Sequence, residues 1–104
     1  GISLCQSAYA AKILDKCRMG DCKSTQTPME QRLKLRKVSD SPLVDSTSYR
    51  SIVGSLRYLV HTRPDICYAV GYVSRYMEKP SEEHMTAVRH ILRYVRGTLN
   101  HGFL

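Results

Sequence analysis

The sequence predicts a mainly helical protein: a short N-terminal strand and a helix, then a linker, a three-helix module and the start of a C-terminal strand. Apolar residues recur at spacings of three and four over three long segments. Prolines stand where two of those segments open, and the connections between the segments are short. With 104 residues, the chain has the length of one small domain.

The N-terminal part changes its period after the first few residues. Ile2 to Gln6 alternate apolar and polar side chains, which predicts a short strand. From Ser7, placed as N-cap, the spacing becomes helical and predicts a helix to Arg18, which Gly20 terminates. Thr25 to Glu30 are expected to be extended, because a proline lies near the centre of this segment.

Residues 31–47 show neither period for long. Basic residues fill the first half, and Ser, Asp and Pro follow, which predicts a mobile linker. The basic cluster is favoured as a solvated group of charges over a specific phosphate clamp. The predicted divisions are therefore 1–30, 31–47, 48–97 and 98–104. The cluster comprises Arg32, Lys34, Arg36 and Lys37.

Residues 48–97 form the predicted three-helix module. The first helix is predicted over Ser48 to His61, the second from Pro64, and the third from its N-cap Ser81 to Gly97. The residues from Thr98 to Leu104 are expected to begin a strand. The apolar stripes are Tyr49, Ile52, Val53, Leu56, Leu59 and Val60; Ile66, Ala69, Val70, Val73 and Met77; and Met85, Val88, Ile91, Leu92 and Val95.

Two rows of basic residues lie off these stripes. Sixteen Lys+Arg against nine Asp+Glu give a net charge of +7, which favours a polyanion such as nucleic acid or an acidic membrane surface. Guanidinium groups along a helix face suit phosphate oxygens. The candidate binding residues are Arg50, Gly54, Arg57 and His61 on the first helix of the module, and Arg89, Arg93 and Arg96 on the third.

Gly54 and the tyrosines each have two interpretations. A mid-helix glycine costs about 1 kcal/mol relative to alanine, so it indicates either close approach of a ligand or tight helix packing. A tyrosine can stack on a base, although a partly buried core ring is the commoner role. The tyrosines concerned are Tyr58, Tyr68, Tyr72, Tyr76 and Tyr94.

The motifs of several enzyme classes are absent from the sequence. It contains no P-loop, no G-x-S-x-G and no H-E-x-x-H, and its aspartates lie far apart, so no catalysis by this chain alone is expected. Asp65, at the start of a helix, has capping as its simpler role. The cysteines have no metal-ligand spacing, so no metal site is expected. The sequence has no apolar run long enough to span a bilayer, and it has no signal-peptide pattern. We therefore expect an intracellular protein that is neither secreted nor in a membrane.

Several blocks in the same order resemble the Pol polyprotein of copia-type LTR retrotransposons. The blocks are L-C-Q-S-x-Y-x-x-x-I-L from Leu4, M-x-x-C-K-S-x-x-T-P-M from Met19, YRSIVGSLRYLVHTRPDICYAV from Tyr49 and AVRHILRYVRGTLNHGF from Ala87. Together they cover nearly the whole chain. The resemblance implies the thumb and connection region of a reverse transcriptase, after the palm and just before RNase H.

This resemblance also implies a function. Ile2 to Gln6 would end the last palm hairpin, Tyr49 to His61 would lie along the template–primer, and Gly97 to Leu104 would lead into RNase H. Expected partners are an RNA–DNA or DNA duplex, bound without sequence preference, and the flanking polymerase and RNase H domains. The catalytic carboxylates and Mg²⁺ of the parent enzyme would lie outside this fragment, which itself would bind no cofactor. Cytoplasm, nucleus and mitochondrion remain open as compartments.

Three alternatives remain. The helices could be a structural spacer between polymerase and nuclease, the chain could be a non-functional remnant, or it could be a secreted, host-directed interaction protein. The last has neither a signal peptide nor an Arg-x-Leu-Arg motif to support it.

Overall fold

A computed structural model describes residues 2–17, 23, 25–30, 33–37 and 40–100, without the side chains of 2–7 and 99–100. Four helices dominate it: α1 (Ile2–Lys16), α2 (Ser46–Leu59), α3 (Cys67–Val73) and α4 (Glu82–Asn100). Short 3₁₀ helices, Pro64–Ile66 and Ser74–Tyr76, flank α3. The described residues outside the helices form one isolated antiparallel bridge, between Leu43 and Ser81. The predicted mainly helical class is confirmed.

The predicted N-terminal strand is wrong, because α1 already begins at Ile2 and Ser7 lies inside it. Five alternating residues are a weak signal, and a strand needs a partner for its backbone groups, whereas a helix satisfies its own. The buried residues of α1 that the structure describes, Ala10, Ile13 and Leu14, have helical spacing. Arg18 and Gly20, the predicted end of this helix, lie outside the described residues.

The predicted C-terminal strand is also not formed over its described residues, 98–100. The last helix, α4, continues through Gly97 to Asn100, and the Thr98 hydroxyl donates to the Val95 carbonyl at 2.8 Å. A single glycine costs a helix only about 1 kcal/mol, so it does not end one by itself. Residues 101–104 lie outside the described part of the chain.

The stripes predicted for the three later helices build the core. The α4 stripe is buried throughout, and the α2 and α3 stripes are buried except for partly buried Ile52, Val60 and Met77. Helix α1 adds Ala10, Ile13 and Leu14 to the same core. Helices α1 and α3 each pack against both α2 and α4, and α2 and α4 also contact each other.

Residues from the predicted linker contact this bundle. Leu35 is buried, and its backbone N–H donates to the Tyr72 hydroxyl at 2.8 Å. The N–H groups of Glu82 and Glu83 at the start of α4 donate to the Pro42 carbonyl and the Ser41 hydroxyl. These described linker residues thus cover and cap the helices, while the division of the chain into 1–30, 31–47, 48–97 and 98–104 stays a prediction.

Candidate nucleic-acid interface

The basic row on α2 lies on an exposed face of the bundle. Asp45 caps the helix by accepting hydrogen bonds from the N–H groups of Thr47 and Ser48, each at 3.3 Å. The Ser48 hydroxyl, at 2.9 Å, contributes most to lowering the pKa of the Asp45 carboxyl. With the apolar stripe directed inward, the row stays in solvent: Arg50, Gly54, Arg57 and His61 are all exposed.

The two arginines of this row lie beside a groove between α2 and α3. The Arg50 Nε donates to the Met77 carbonyl at 2.9 Å, which holds the guanidinium at the groove's rim. Arg57 lines the groove, whose volume is about 400 Å³. Opposite Arg57 the walls are apolar or small, with Val70, Gly71 and Met77 among them. The groove thus presents a cationic rim above an apolar floor.

Gly54 lies between the two arginines with open space around it. A Cβ built on Gly54 would meet no atom within 4 Å, apart from its own neighbourhood in the helix. Tight helix packing therefore does not explain the glycine. Glycine destabilises the helix at this position and allows no closer packing inside the bundle. Close approach of a ligand is the explanation that stays open.

The row on α4 has a different environment. Arg89 pairs with Glu82 on its own helix at 2.7 Å, and the Arg93 Nε donates to the Lys23 carbonyl at 2.8 Å. Arg96 is partly buried and also has a partner. The α4 row is therefore less accessible than the α2 row, because Arg93 and Arg96 are only partly exposed.

Most of the predicted tyrosines have structural partners. Tyr72 and Tyr76 bind the extended segment Leu33 to Arg36: the Tyr76 hydroxyl donates to the Leu35 carbonyl at 3.2 Å. The Tyr94 hydroxyl donates to Asp65 at 2.7 Å. Tyr58 and Tyr68 project outward, with 54% and 79% of their surface exposed. Only these two of the five present their rings to solvent.

Asp65 does not cap its helix as predicted. Its carboxylate accepts two hydrogen bonds from the nearly buried Arg63, at 3.0 and 2.8 Å, and one from Tyr94. Burial raises the pKa of Asp65, but these hydrogen bonds outweigh burial and leave the pKa below its ordinary value. The bond to Asp65 is the main cause that raises the pKa of Tyr94. An arginine two residues before an aspartate across a proline was the sequence signal for this bidentate pair.

His84 is a structural residue that the sequence reasoning missed. It is fully buried and stacks on Tyr76, with ring centroids 4.0 Å apart. Its Nδ1 accepts from the Ser81 N–H at 3.0 Å, so Nε2 carries the proton that is donated to the Arg36 carbonyl at 2.6 Å. A histidine three residues after an N-cap serine matches the spacing of a capping box, which could have indicated this role.

The described acidic residues are used or exposed singly. Asp45 caps α2, Asp65 binds Arg63, and Asp15 and Asp40 are exposed at separate places; Asp21 lies outside the described residues. Among the described residues, no three side chains of the metal-ligating types cluster. Within the described part of the chain, no helix is both long enough and apolar enough to cross a bilayer.

Known relatives match nearly the whole chain. A retrovirus-related Pol polyprotein from transposon RE1 of Arabidopsis thaliana is 48% identical over 98% of this chain, and that from transposon RE2 is 44% identical over the same share. An uncharacterized mitochondrial protein of the same plant is 43% identical, again over 98% of the chain.

The chain spans only 7% of each of these two polyproteins and 42% of the mitochondrial protein. No family model matches the chain, and no solved structure matches it significantly. The polyprotein matches confirm the resemblance drawn from the sequence blocks. The chain is therefore homologous to one segment of the Pol polyproteins of copia-type retrotransposons.

Proposed function

We propose that this chain helps to hold a template–primer duplex by contacts to the phosphate backbone, made mainly by the outer face of α2. The observation that carries the proposal is the exposed row itself, in which Arg50 and Arg57 lie on either side of a glycine with open surroundings. The duplex would be an RNA–DNA hybrid or DNA, bound without sequence preference.

The geometry of the row suits a backbone contact. Arg50 and Arg57 are seven positions apart, about 10 Å along a helix axis, so their guanidinium groups can contact different phosphates. Each planar group can engage phosphate oxygens through two parallel hydrogen bonds. The missing side chain at Gly54 lets the sugar–phosphate backbone approach the helix between them.

The α4 row contributes less to this contact. Arg93 and Arg96 are only partly exposed, and Arg89 would have to exchange its pair with Glu82 for a phosphate. In the intact polyprotein, we place this segment between polymerase and RNase H, with the catalytic carboxylates and Mg²⁺ supplied by those domains. The chain by itself would bind nucleic acid and catalyse nothing.

The test uses the full 104-residue chain and a labelled RNA–DNA hybrid, with anisotropy measured over a range of salt concentrations. Affinity should fall steeply with salt. In the double variant Arg50→Gln and Arg57→Gln, the slope of log affinity against log salt should decrease by about 2, because each phosphate contact contributes close to one unit.

A matched control removes the same charge elsewhere. Lys34→Gln with Lys37→Gln changes two exposed lysines of the linker and should leave most of the slope intact. Hybrid affinity that does not change between low and moderate salt would contradict the proposal. Circular dichroism should show the same helical content for all variants.

A second candidate, the structural spacer, is favoured by the arginine contacts within the fold. Arg50 binds the Met77 carbonyl, as expected if this side chain only holds segments of the fold together, and Arg89 binds Glu82 within its own helix, α4. A spacer predicts that the Arg50 and Arg57 double variant keeps its hybrid affinity and loses thermal stability. Duplex binding predicts the reverse.

A further inference from the structure

Among the described residues, the Tyr58 hydroxyl has no hydrogen-bond partner, and the ring lies half exposed on α2. The hydroxyls of Tyr72, Tyr76 and Tyr94 bind groups within the fold, whereas Tyr58 points away from the apolar stripe with 54% of its surface exposed. Exposing a large ring forgoes the free energy of burying it, so a ring kept in solvent indicates a surface contact.

The Tyr58 ring is nevertheless held in place. Tyr9 of α1 meets it edge to face, with ring centroids 4.8 Å apart and planes at 65°. His61, just past the end of α2, packs edge-on against Tyr58, with ring centroids 6.0 Å apart. A ring that is already fixed loses little conformational entropy when it stacks on a ligand.

Tyr68, by comparison, is more exposed but has a different neighbourhood. Its ring lies 6.3 Å from that of Tyr72 in a tilted arrangement. It lines a groove that also contains the carboxyl-bearing residues Glu30 and Asp65. The Asp65 carboxylate is paired with Arg63, and Arg75 lines a neighbouring groove with Tyr68, so the two rings differ mainly in that Tyr68 has no edge-to-face contact of the kind that Tyr9 makes with Tyr58.

Basic residues lie on the flank of α1 that contacts Tyr58. Tyr9, Lys12 and Lys16 lie at i, i+3 and i+7 on α1, and the Lys16 Nζ donates to the Ser51 hydroxyl of α2 at 2.9 Å. This flank of α1 therefore faces the outer side of α2. Lys12 and Lys16 are exposed, and so is Arg57, the residue before Tyr58 on α2.

We propose that the Tyr58 ring, braced by Tyr9, stacks on an unpaired base of a nucleic-acid strand whose phosphates are contacted by Lys12 and Arg57. Stacking aromatic rings within a cationic surface bind single strands with little sequence preference, since every base has a π-face. The proposal rests on the proposed duplex binding, because it places the single-stranded continuation of the duplex next to the arginine row.

The experiment compares a blunt RNA–DNA hybrid with the same hybrid carrying a single-stranded overhang. A fluorescent base analogue in the overhang reports stacking by quenching. With the full chain, the overhang should strengthen binding and its analogue should be quenched. Tyr58→Ala should abolish the quenching and weaken binding to the overhang substrate about tenfold, with blunt-hybrid affinity unchanged.

Two variants serve as controls. Tyr58→Phe keeps the ring and should keep both quenching and affinity, and Tyr68→Ala removes an exposed ring elsewhere and should change neither. Near-native thermal stability of Tyr58→Ala would confirm that it folds.

The two proposals fail separately. If the blunt hybrid binds but the overhang gives no Tyr58-dependent increase in affinity, base stacking is overturned. The ring then serves only its contact with Tyr9 within the protein. If the blunt hybrid does not bind while the overhang strand still does so through Tyr58, the duplex proposal is overturned and stacking stands. Binding of neither substrate overturns both.

Discussion

The outer face of α2 and the side of the bundle covered by Leu33 to Arg36 contain similar residues in opposite roles. On the covered side, Tyr72, Tyr76 and His84 direct their polar atoms to the backbone of the extended segment. On the α2 face the arginines, the glycine and Tyr58 face solvent. The difference indicates that a neighbouring segment of chain, and not residue type, decides whether a polar aromatic or basic side chain stabilises the fold or remains for a ligand.

This comparison predicts that substitutions on the covered side reduce stability, and the largest effect is expected at His84. His84→Ala should lower the free energy of unfolding by about 3 kcal/mol, because it leaves a cavity against Tyr76 and unpairs the Ser81 N–H and the Arg36 carbonyl. Urea unfolding followed by circular dichroism measures the loss.

A histidine on the open face provides the contrast for that measurement. His61→Ala should change the free energy of unfolding by less than about 0.5 kcal/mol, since His61 is exposed. Equal losses for the two histidines would remove the distinction between the faces.

Asp65 links the 3₁₀ helix Pro64–Ile66 to Tyr94 of α4, and its replacement should have the next largest effect. Asp65→Asn should cost about 2 kcal/mol, because the nearly buried Arg63 loses its carboxylate partner.

The pH dependence of Asp65 follows from the direction of its shift. Since the folded-state pKa lies below the ordinary value of 3.8, the stabilisation is present above that value and is lost as pH falls through the folded-state pKa. Thermal unfolding at several pH values should therefore show the wild type and Asp65→Asn converging in acid. A gap that stays constant down to strongly acidic pH would contradict the assigned charge interaction.

Tyr72 tests the attachment of the extended segment. Tyr72→Phe should lose about 1.5 kcal/mol, since the Leu35 N–H loses its acceptor and the Leu33 carbonyl a donor. Hydrogen exchange at Leu35 should accelerate more than exchange within α4. Tyr68→Phe removes an exposed hydroxyl and should change neither the stability nor the exchange at Leu35. Comparable acceleration of exchange in Tyr68→Phe would contradict the role of the Tyr72 hydrogen bonds.

The features that sequence could predict are those set by local periodicity. Helices α2, α3 and α4 were found because stripes such as Tyr49, Val53 and Leu56 depend only on spacing. The first strand was mispredicted because alternation over five residues cannot reveal whether a partner strand exists. Likewise, the hydrogen bonds of Leu35 with Tyr72 and Tyr76 join residues some forty positions apart, so no local sequence pattern indicates them.

The same limit applies to the candidate site. Spacing could place Arg50, Gly54 and Arg57 on one helix face, and the structure shows that face to be exposed. Spacing gave the α4 row the same form, but the partners of that row, such as the Lys23 carbonyl bound by Arg93, lie far away in the sequence. The contribution of Tyr9 to Tyr58 depends on α1, which is separated from α2 by the whole linker.

Gly54 gives the sharpest separation of stability from binding. Because a Cβ there meets open space, Gly54→Ala should raise the free energy of unfolding by about 0.8 kcal/mol, through better helix propensity and a less flexible unfolded chain. Gly71→Ala on α3, which is equally open, is the matched control and should stabilise similarly.

Only Gly54 lies between the two arginines, so the pair of variants should differ in hybrid affinity. Gly54→Ala should weaken binding, and the larger Gly54→Leu should weaken it further in a chain that still folds, whereas Gly71→Ala should bind as the wild type does. If Gly54→Ala is more stable and binds the hybrid with undiminished affinity, the glycine is not needed for backbone approach, and the arginines alone would define the interface.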